Sequence, residues 1–162
     1  NNLAIFTSRP DRNLKILIEI WTNLITIKNK NLKLLVSDNN FNYTEKTIIK
    51  RKLSDQRNLI KDLKSARIAL IPGHKAELYC LSAQEAKELC IPIVTLGIGS
   101  LAERVDHGVN GFVAKNKHEF SEYTFQLFNN DNLWESMRKN LLSQRGKNTW
   151  KKVAEELINQ MI

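Results

Sequence analysis

Glu77-Leu-Tyr-Cys-Leu-Ser-Ala-Gln-Glu85-Ala-Lys-Glu-Leu-Cys-Ile91-Pro-Ile-Val-Thr-Leu96-Gly-Ile-Gly-Ser100 is the stretch on which the fold turns. An apolar strand, Arg67-Ile-Ala-Leu-Ile71, runs into it and is stopped by Pro72-Gly73. A helix then reads from Leu81 to Leu89. Pro92 and a second apolar strand to Leu96 follow, then a glycine-bearing turn and a helix from Ser100 to about His107. Two strand-turn-helix units in succession put two helix N-termini at one end of neighbouring strands, an arrangement suited to an anion.

The same alternation extends in both directions. Leu3 to Thr7 reads as a strand, and Asp11 to about Lys28 as a helix with Leu14, Leu17, Ile18, Trp21, Leu24 and Ile25 at helical spacing. Leu32 to Val36 is a strand, followed by a polar loop from Ser37 to Thr44 and a weaker strand at Thr47 to Ile49. Ser54 reads as the N-cap of a helix through Leu63, with Asp55 in its first turn. Beyond Ser100, Gly108 to Val113 is a turn and short strand. The remainder is helical from Lys117, broken near Asn129 to Asn132 and near Gly146. Continuous apolar strands separated by helices predict an α/β fold, a Rossmann-like parallel sheet with helices on both faces. Ligands of such sheets bind beyond the carboxyl ends of the strands.

A length of 162 residues accommodates one domain, residues 1–162. No apolar run approaches the roughly 20 residues that cross a membrane. Asn1-Asn2-Leu-Ala-Ile-Phe6 already reads as a strand, so no signal peptide is expected there. A start on a strand without Met points to a fragment of a longer two-domain chain. The two cysteines, Cys80 and Cys90, lack metal-ligand spacing, and a reduced cytoplasmic setting follows. The glycosylation-like Asn42-Tyr-Thr44 has no meaning there. Lys and Arg outnumber Asp and Glu 25 to 17, a balance that either marks a solvated Lys/Asn-rich surface or favours anionic partners: nucleotide phosphates, acidic lipid headgroups or nucleic acid. Aromatics follow core spacing rather than interleaving with cations, so nucleic acid is not an expected partner.

At the level of side chains, Glu85 lies one turn inside its helix, and its two acceptor oxygens match a vicinal diol such as ribose. Glu77 lies in the turn before that helix, nearer whatever is attached to a terminal phosphate. The amides of Tyr79, Cys80, Leu81 and Ser82 are candidate anion donors. Carboxylates beside an anion make sense if they grip hydroxyls, and a diphosphate flanked by hydroxyl-rich groups is a nucleotide sugar. The competing reading makes Glu77 a first-turn acid and Glu85 a helix-face neighbour of Ser82. Gly97-Ile-Gly-Ser-Leu-Ala102 matches a dinucleotide fingerprint but comes too late in the chain for that role. His74, His107 and His118 do not cluster, so no metal site is expected, and His74 reads as a surface-loop histidine.

In order, Glu77 to Glu85 followed by Ala86, Pro92-Ile-Val-Thr, Gly97-Ile-Gly-Ser-Leu-Ala-Glu-Arg-Val105, His107-Gly-Val-Asn-Gly-Phe112 and Thr149-Trp-Lys-Lys-Val153 resemble the carboxyl-terminal half of GT-B glycosyltransferases of the retaining family 4 type. The resemblance covers nearly the whole chain. It implies a donor-binding domain for a UDP-, GDP- or ADP-sugar, with no metal or other cofactor, in polysaccharide or lipopolysaccharide biosynthesis. It implies Glu77 and Arg12 as catalytic groups. Arg9, Arg12, Glu77, Tyr79, Cys80, Leu81, Ser82, Glu85, Gly97 and Gly99 would surround the donor. Arg12-Asn13 falls where the family carries Lys-Gly, and Arg9 where it carries Arg. Cys80 stands where the family has Gly, Leu78 where it has Pro, and the segment after Asn39, where nucleobase contacts would lie, is shortened. The acceptor site would belong to an amino-terminal Rossmann-like domain, against which the last helix would pack. Without that domain, binding without turnover is expected. The rivals are a nucleotide-sugar epimerase of similar architecture and a non-catalytic basic module for nucleic acid or membrane.

Overall fold

A computed structural model of the chain describes residues 1–37, 43–52, 55–146 and 150–161. Six parallel strands form one sheet: β1 (Leu3–Phe6), β2 (Lys33–Ser37), β3 (Ile48–Arg51), β4 (Ile68–Leu70), β5 (Ile93–Thr95) and β6 (Gly111–Val113). Their spatial order is β3-β2-β1-β4-β5-β6. The order reverses between β1 and β4, so the crevice beyond their carboxyl ends is where a ligand of this fold sits. The predicted α/β class stands.

Both faces of the sheet are buried because each strand alternates between two apolar layers. Ala4, Phe6, Leu34, Val36, Ile68, Leu70 and Val94 face one layer, closed by α1 (Leu14–Ile20) with the turn that follows it, α5 (Lys117–Asn129) and α6 (Asp131–Gln144) through Leu17, Trp21, Phe120, Leu127 and Met137. Ile5, Leu35, Ala69, Ile71 and Ile93 face the other. That layer is closed by α2 (Gln56–Ser65), α3 (Leu81–Glu88) and α4 (Leu101–Arg104) through Leu63, Ala83, Ala86 and Leu101. Ala83 and Ala86, one turn apart and fully buried, let α3 lie close on the strands.

Three elements differ from expectation. The first helix starts at Leu14 and passes into a π-helical stretch, Trp21–Ile25, in which the Thr26 amide reaches back to the Trp21 carbonyl. The Trp21 indole, fully buried, donates to Thr47 Oγ1 at 2.9 Å. The helix after Ser100 is a single turn, because Val105 is extended and Asp106 is drawn into a turn by the Asn110 amide. The cap of α2 is Asp55, whose side chain accepts from the Asn58 amide at 2.9 Å; Ser54 lies outside the described residues. Asn39, Asn42 and Thr149 lie outside them too. The last helix, α7 (Trp150–Met161), leaves Leu157 and Ile158 each more than half exposed. Among the described residues no helix is long and apolar enough to cross a membrane.

Candidate functional site

Three turns meet beyond the carboxyl ends of β1, β4 and β5. They are residues 7–13, 71–80 and 96–100. The first two face each other across the point where strand order reverses, and consecutive side chains tie them together. Arg12 donates from Nη1 to His74 Nδ1 at 3.1 Å, and Asn13 donates from Nδ2 to the Gly73 carbonyl. The second and third turns are joined through backbone. Leu96 N donates to Pro72 O at 3.2 Å, Ser100 N to Glu77 O at 3.0 Å, and Gly73 bridges Ile98. Gly99 makes this contact possible: with φ 69, a Cβ there would stand 2.3 Å from the His74 carbonyl oxygen.

The interior of this junction is polar and unsatisfied. Ser8 Oγ, Glu77 Oε2 and Ser100 Oγ are buried and make no hydrogen bond among the described residues, and each comes from a different one of the three turns. A buried polar atom without a partner costs roughly 1 to 3 kcal/mol, so three at one place mark a position built for a polar guest. Cys80 belongs to the same spot. Burial pushes its thiol up to about 11, with the Ala83 amide acting in the opposite direction, Glu77 in the same one and Ser8 again in the opposite one.

Two helix N-termini open on the junction, those of α1 and α3. Asn13 and Cys80 precede them in left-handed conformation, φ 63 and φ 57, and neither helix has a side-chain cap. Their first amides are donors with no intrahelical acceptor. The second N-terminus at this site is therefore that of α1; the four residues of α4 make a dipole too short to matter.

The predicted site residues separate into groups. Arg12, Glu77, Cys80 and Gly99 converge on the junction, while Gly97 lies beside it with its amide on Thr95 Oγ1 at 3.1 Å. Arg9 sits at the rim, its side chain 71% exposed and paired with Asp11 through both Nε and Nη2. Arg12 has no carboxylate partner among the described residues. Tyr79 is half-exposed under the Arg104 guanidinium, 3.5 Å from ring centre, and Leu81 is 67% exposed at the mouth. Ser82, one residue into α3, is half-buried. Glu85 stands apart. It lines a small cavity of about 240 Å³ between α2 and α3 with Gln56, Leu59, Ile60, Leu63 and Leu89. Burial raises its pKa, and among the described residues its carboxylate makes no hydrogen bond or ion pair, with Ser82 or any other side chain.

Three residues escaped the sequence reading. Ser8 and Ser100 carried no signal beyond following a strand. His74 is half-buried and bonded to Arg12, not a free surface histidine. Among the described residues no group of three or more His, Cys, Asp and Glu side chains could hold a metal ion.

The family described as "Glycosyl transferases group 1" matches residues 2–144. No curated protein matches the chain in sequence. Among solved structures, a mutant of S. aureus TarM in complex with fondaparinux, alpha-GlcNAc-glycerol and UDP superposes with TM-score 0.80 at 18% identity, over 98% of this chain and 35% of that one. Anabaena Alr3699/HepE in complex with UDP and glucose gives 0.78 at 17% identity, over 97% of this chain and 48% of that one. The C-terminal domain of a Francisella tularensis glycosyl transferase group 1 family protein, LpcC, gives 0.69 at 15% identity, over 86% of this chain and 80% of that domain. The chain thus spans about a third to a half of the first two proteins. The shared fold is that of GT-B glycosyltransferases.

Proposed function

The chain belongs to the glycosyl transferases group 1 family, and from that premise we propose that it is the donor-binding part of a retaining, metal-independent glycosyltransferase of the family 4 type. The observation that carries this reading is the set of three unsatisfied buried oxygens on Ser8, Glu77 and Ser100, flanked by two uncapped helix N-termini. A diphosphate fits that combination. Its oxygens accept from the amides of α1 and α3 and from Arg12, which makes no ion pair with a carboxylate among the described residues. Glu77 is an acceptor for the hydroxyls of a sugar on the terminal phosphate. Glu85 is an acceptor for the ribose, in the cavity that α2 closes.

Charge builds on the diphosphate as the glycosidic bond breaks. Fixed donors aimed at that charge lower the barrier and do the work a divalent metal would otherwise do. Two of the similar structures hold UDP, which makes a UDP-sugar the first donor to try, ahead of GDP- and ADP-sugars. The acceptor and the remaining catalytic groups would lie on an amino-terminal Rossmann-like domain, so this part alone would bind without turnover. A cytoplasmic place in polysaccharide or lipopolysaccharide assembly, with the basic surface against an anionic membrane, completes the reading.

The test is a thermal-shift panel of UDP, GDP, ADP and their sugars without added metal. A ligand at 100 times its dissociation constant adds about 2.7 kcal/mol of stability. Flat melting curves at millimolar ligand would sink the donor-site reading.

A further inference from the structure

Arg12 is one of two arginines on its turn, and the two are held differently. Arg9 is neutralised by Asp11 at the surface. Arg12 instead rests on the imidazole of His74, from Nη1 to Nδ1 at 3.1 Å. The same Nδ1 accepts from the Ala76 amide, also at 3.1 Å. A guanidinium and a backbone amide can only donate, so Nδ1 carries no proton and the neutral ring is protonated on Nε2. One lone pair thus anchors the Arg12 head to the turn that also carries Glu77, across 62 residues of sequence. The neighbouring bond from Asn13 to Gly73 fixes the backbone beneath it. Arg12 makes no other side-chain hydrogen bond among the described residues, and its remaining N–H groups are available to a ligand. An imidazole anchor orients the cation without neutralising it, which a carboxylate could not do.

We propose that His74 is a positioning residue of this site, whose unprotonated Nδ1 holds the Arg12 guanidinium in register to receive the diphosphate of the donor. The proposal rests on the reading of Arg12 as a phosphate-binding group. It predicts that the benefit of His74 passes entirely through Arg12, and that any side chain offering an acceptor at the place of Nδ1 can replace it. Asn is that side chain, since its Oδ1 is attached to Cγ as Nδ1 is.

Titration calorimetry with UDP and with uridine on the full chain tests this. His74→Ala should weaken UDP about threefold to tenfold, through an Arg12 head no longer held in place, and leave uridine unchanged. His74→Asn should return to within about twofold of wild type. His74→Ala combined with Arg12→Ala should bind UDP no worse than Arg12→Ala alone, because residues acting as a unit are not additive. Additive losses in the double variant, or an Asn variant as weak as Ala, would overturn the proposal. Nitrogen-15 spectra of the His74 ring need no ligand. An Nε2–H tautomer with an Nδ1 resonance that moves in Arg12→Ala supports the anchor, and an Nδ1–H tautomer refutes it. If wild type binds none of UDP, GDP and ADP, the donor-site reading falls, while the ring spectra still decide whether His74 holds Arg12.

Discussion

Asn13 and Cys80 stand at matching places, one at the end of the turn after β1 and the other at the end of the turn after β4. Each precedes a helix, each is left-handed, and neither helix has a side-chain cap. The resemblance to family 4 enzymes puts glycine at both. Asn visits this conformation readily, and here its side chain reaches the Gly73 carbonyl. Cys does not; a β-carbon there costs about 1 to 2 kcal/mol. What the two turns share is backbone: a helix entry whose first amides are left without partners. Side chains differ as long as that geometry survives, so the geometry is what the site requires.

The strongest way to break the comparison is to disturb the third turn, which props the second. Gly99→Ala would put a Cβ 2.3 Å from the His74 carbonyl oxygen and 2.9 Å from that of Glu77, both rigid backbone atoms. A loss of about 3 kcal/mol or more is expected, a drop of roughly 6 to 12 °C in melting temperature for a chain of this size. Gly108 is the control. It is also left-handed, φ 77, but a Cβ there meets nothing within 4 Å, so Gly108→Ala should cost only about 1 kcal/mol. Equal shifts in scanning calorimetry would mean that the contact between turns is not tight.

Next in size is the charge on the first turn. Arg12→Ala should weaken nucleoside diphosphate by the worth of a charge-assisted contact, about 1.5 to 3 kcal/mol, and nucleoside hardly at all. Arg9→Ala should change the same affinity less than about threefold, because a solvated ion pair with Asp11 already occupies that side chain. Equal losses for diphosphate and nucleoside in calorimetry would remove Arg12 from the phosphates.

Glu85 sharpens the comparison from outside the junction. Glu85→Gln keeps size and helix propensity but removes an anionic acceptor, so UDP should weaken about tenfold to a hundredfold, roughly 1.4 to 2.7 kcal/mol. The dideoxy nucleotide without a diol should bind both proteins alike. The unliganded fold should respond in the opposite sense. Burial raises the Glu85 pKa above its ordinary value, so its favourable contribution is present at low pH and lost as pH rises through the folded-state pKa. Glu85→Gln should therefore melt with wild type near pH 4 and above it at pH 7. A variant less stable than wild type at pH 7 would make Glu85 a structural group.

The sheet was legible because strands buried on both faces read as continuous apolar runs, and Ile68 to Leu70 or Ile93 to Thr95 leave little choice of element. The first helix was less so, since Leu14 to Ile25 keeps one apolar stripe whether or not the backbone widens at Trp21. Glu77 was singled out by its place in the turn before a helix, and Arg12 by the resemblance. Ser8, Ser100 and His74 were not, because their meaning arises only across turns. A hydroxyl becomes notable when it is buried without a partner, and a histidine when an arginine 62 residues away lands on its Nδ1. Pair contacts between distant turns leave no local pattern in a single sequence.

The smallest expected effect bears most directly on the two turns. Cys80 is 3% exposed and packs in the layer under α3, so trimming it to Ala loses a sulfur and about 1 kcal/mol while keeping the left-handed β-carbon. Trimming it to Gly loses slightly more buried surface and adds chain entropy to the unfolded state, a further 0.5 to 1 kcal/mol or so. Against this, Gly removes the conformational cost of about 1 to 2 kcal/mol. The usual order, Ala more stable than Gly, should therefore vanish or invert at residue 80, with Cys80→Gly at or above Cys80→Ala by up to about 1 kcal/mol in denaturant titrations. UDP affinity should be the same in both, since the amides stay where they are. If Ala proves the more stable by its normal margin, the left-handed turn costs Cys80 nothing, and the difference between Asn13 and Cys80 is one of side-chain contacts alone.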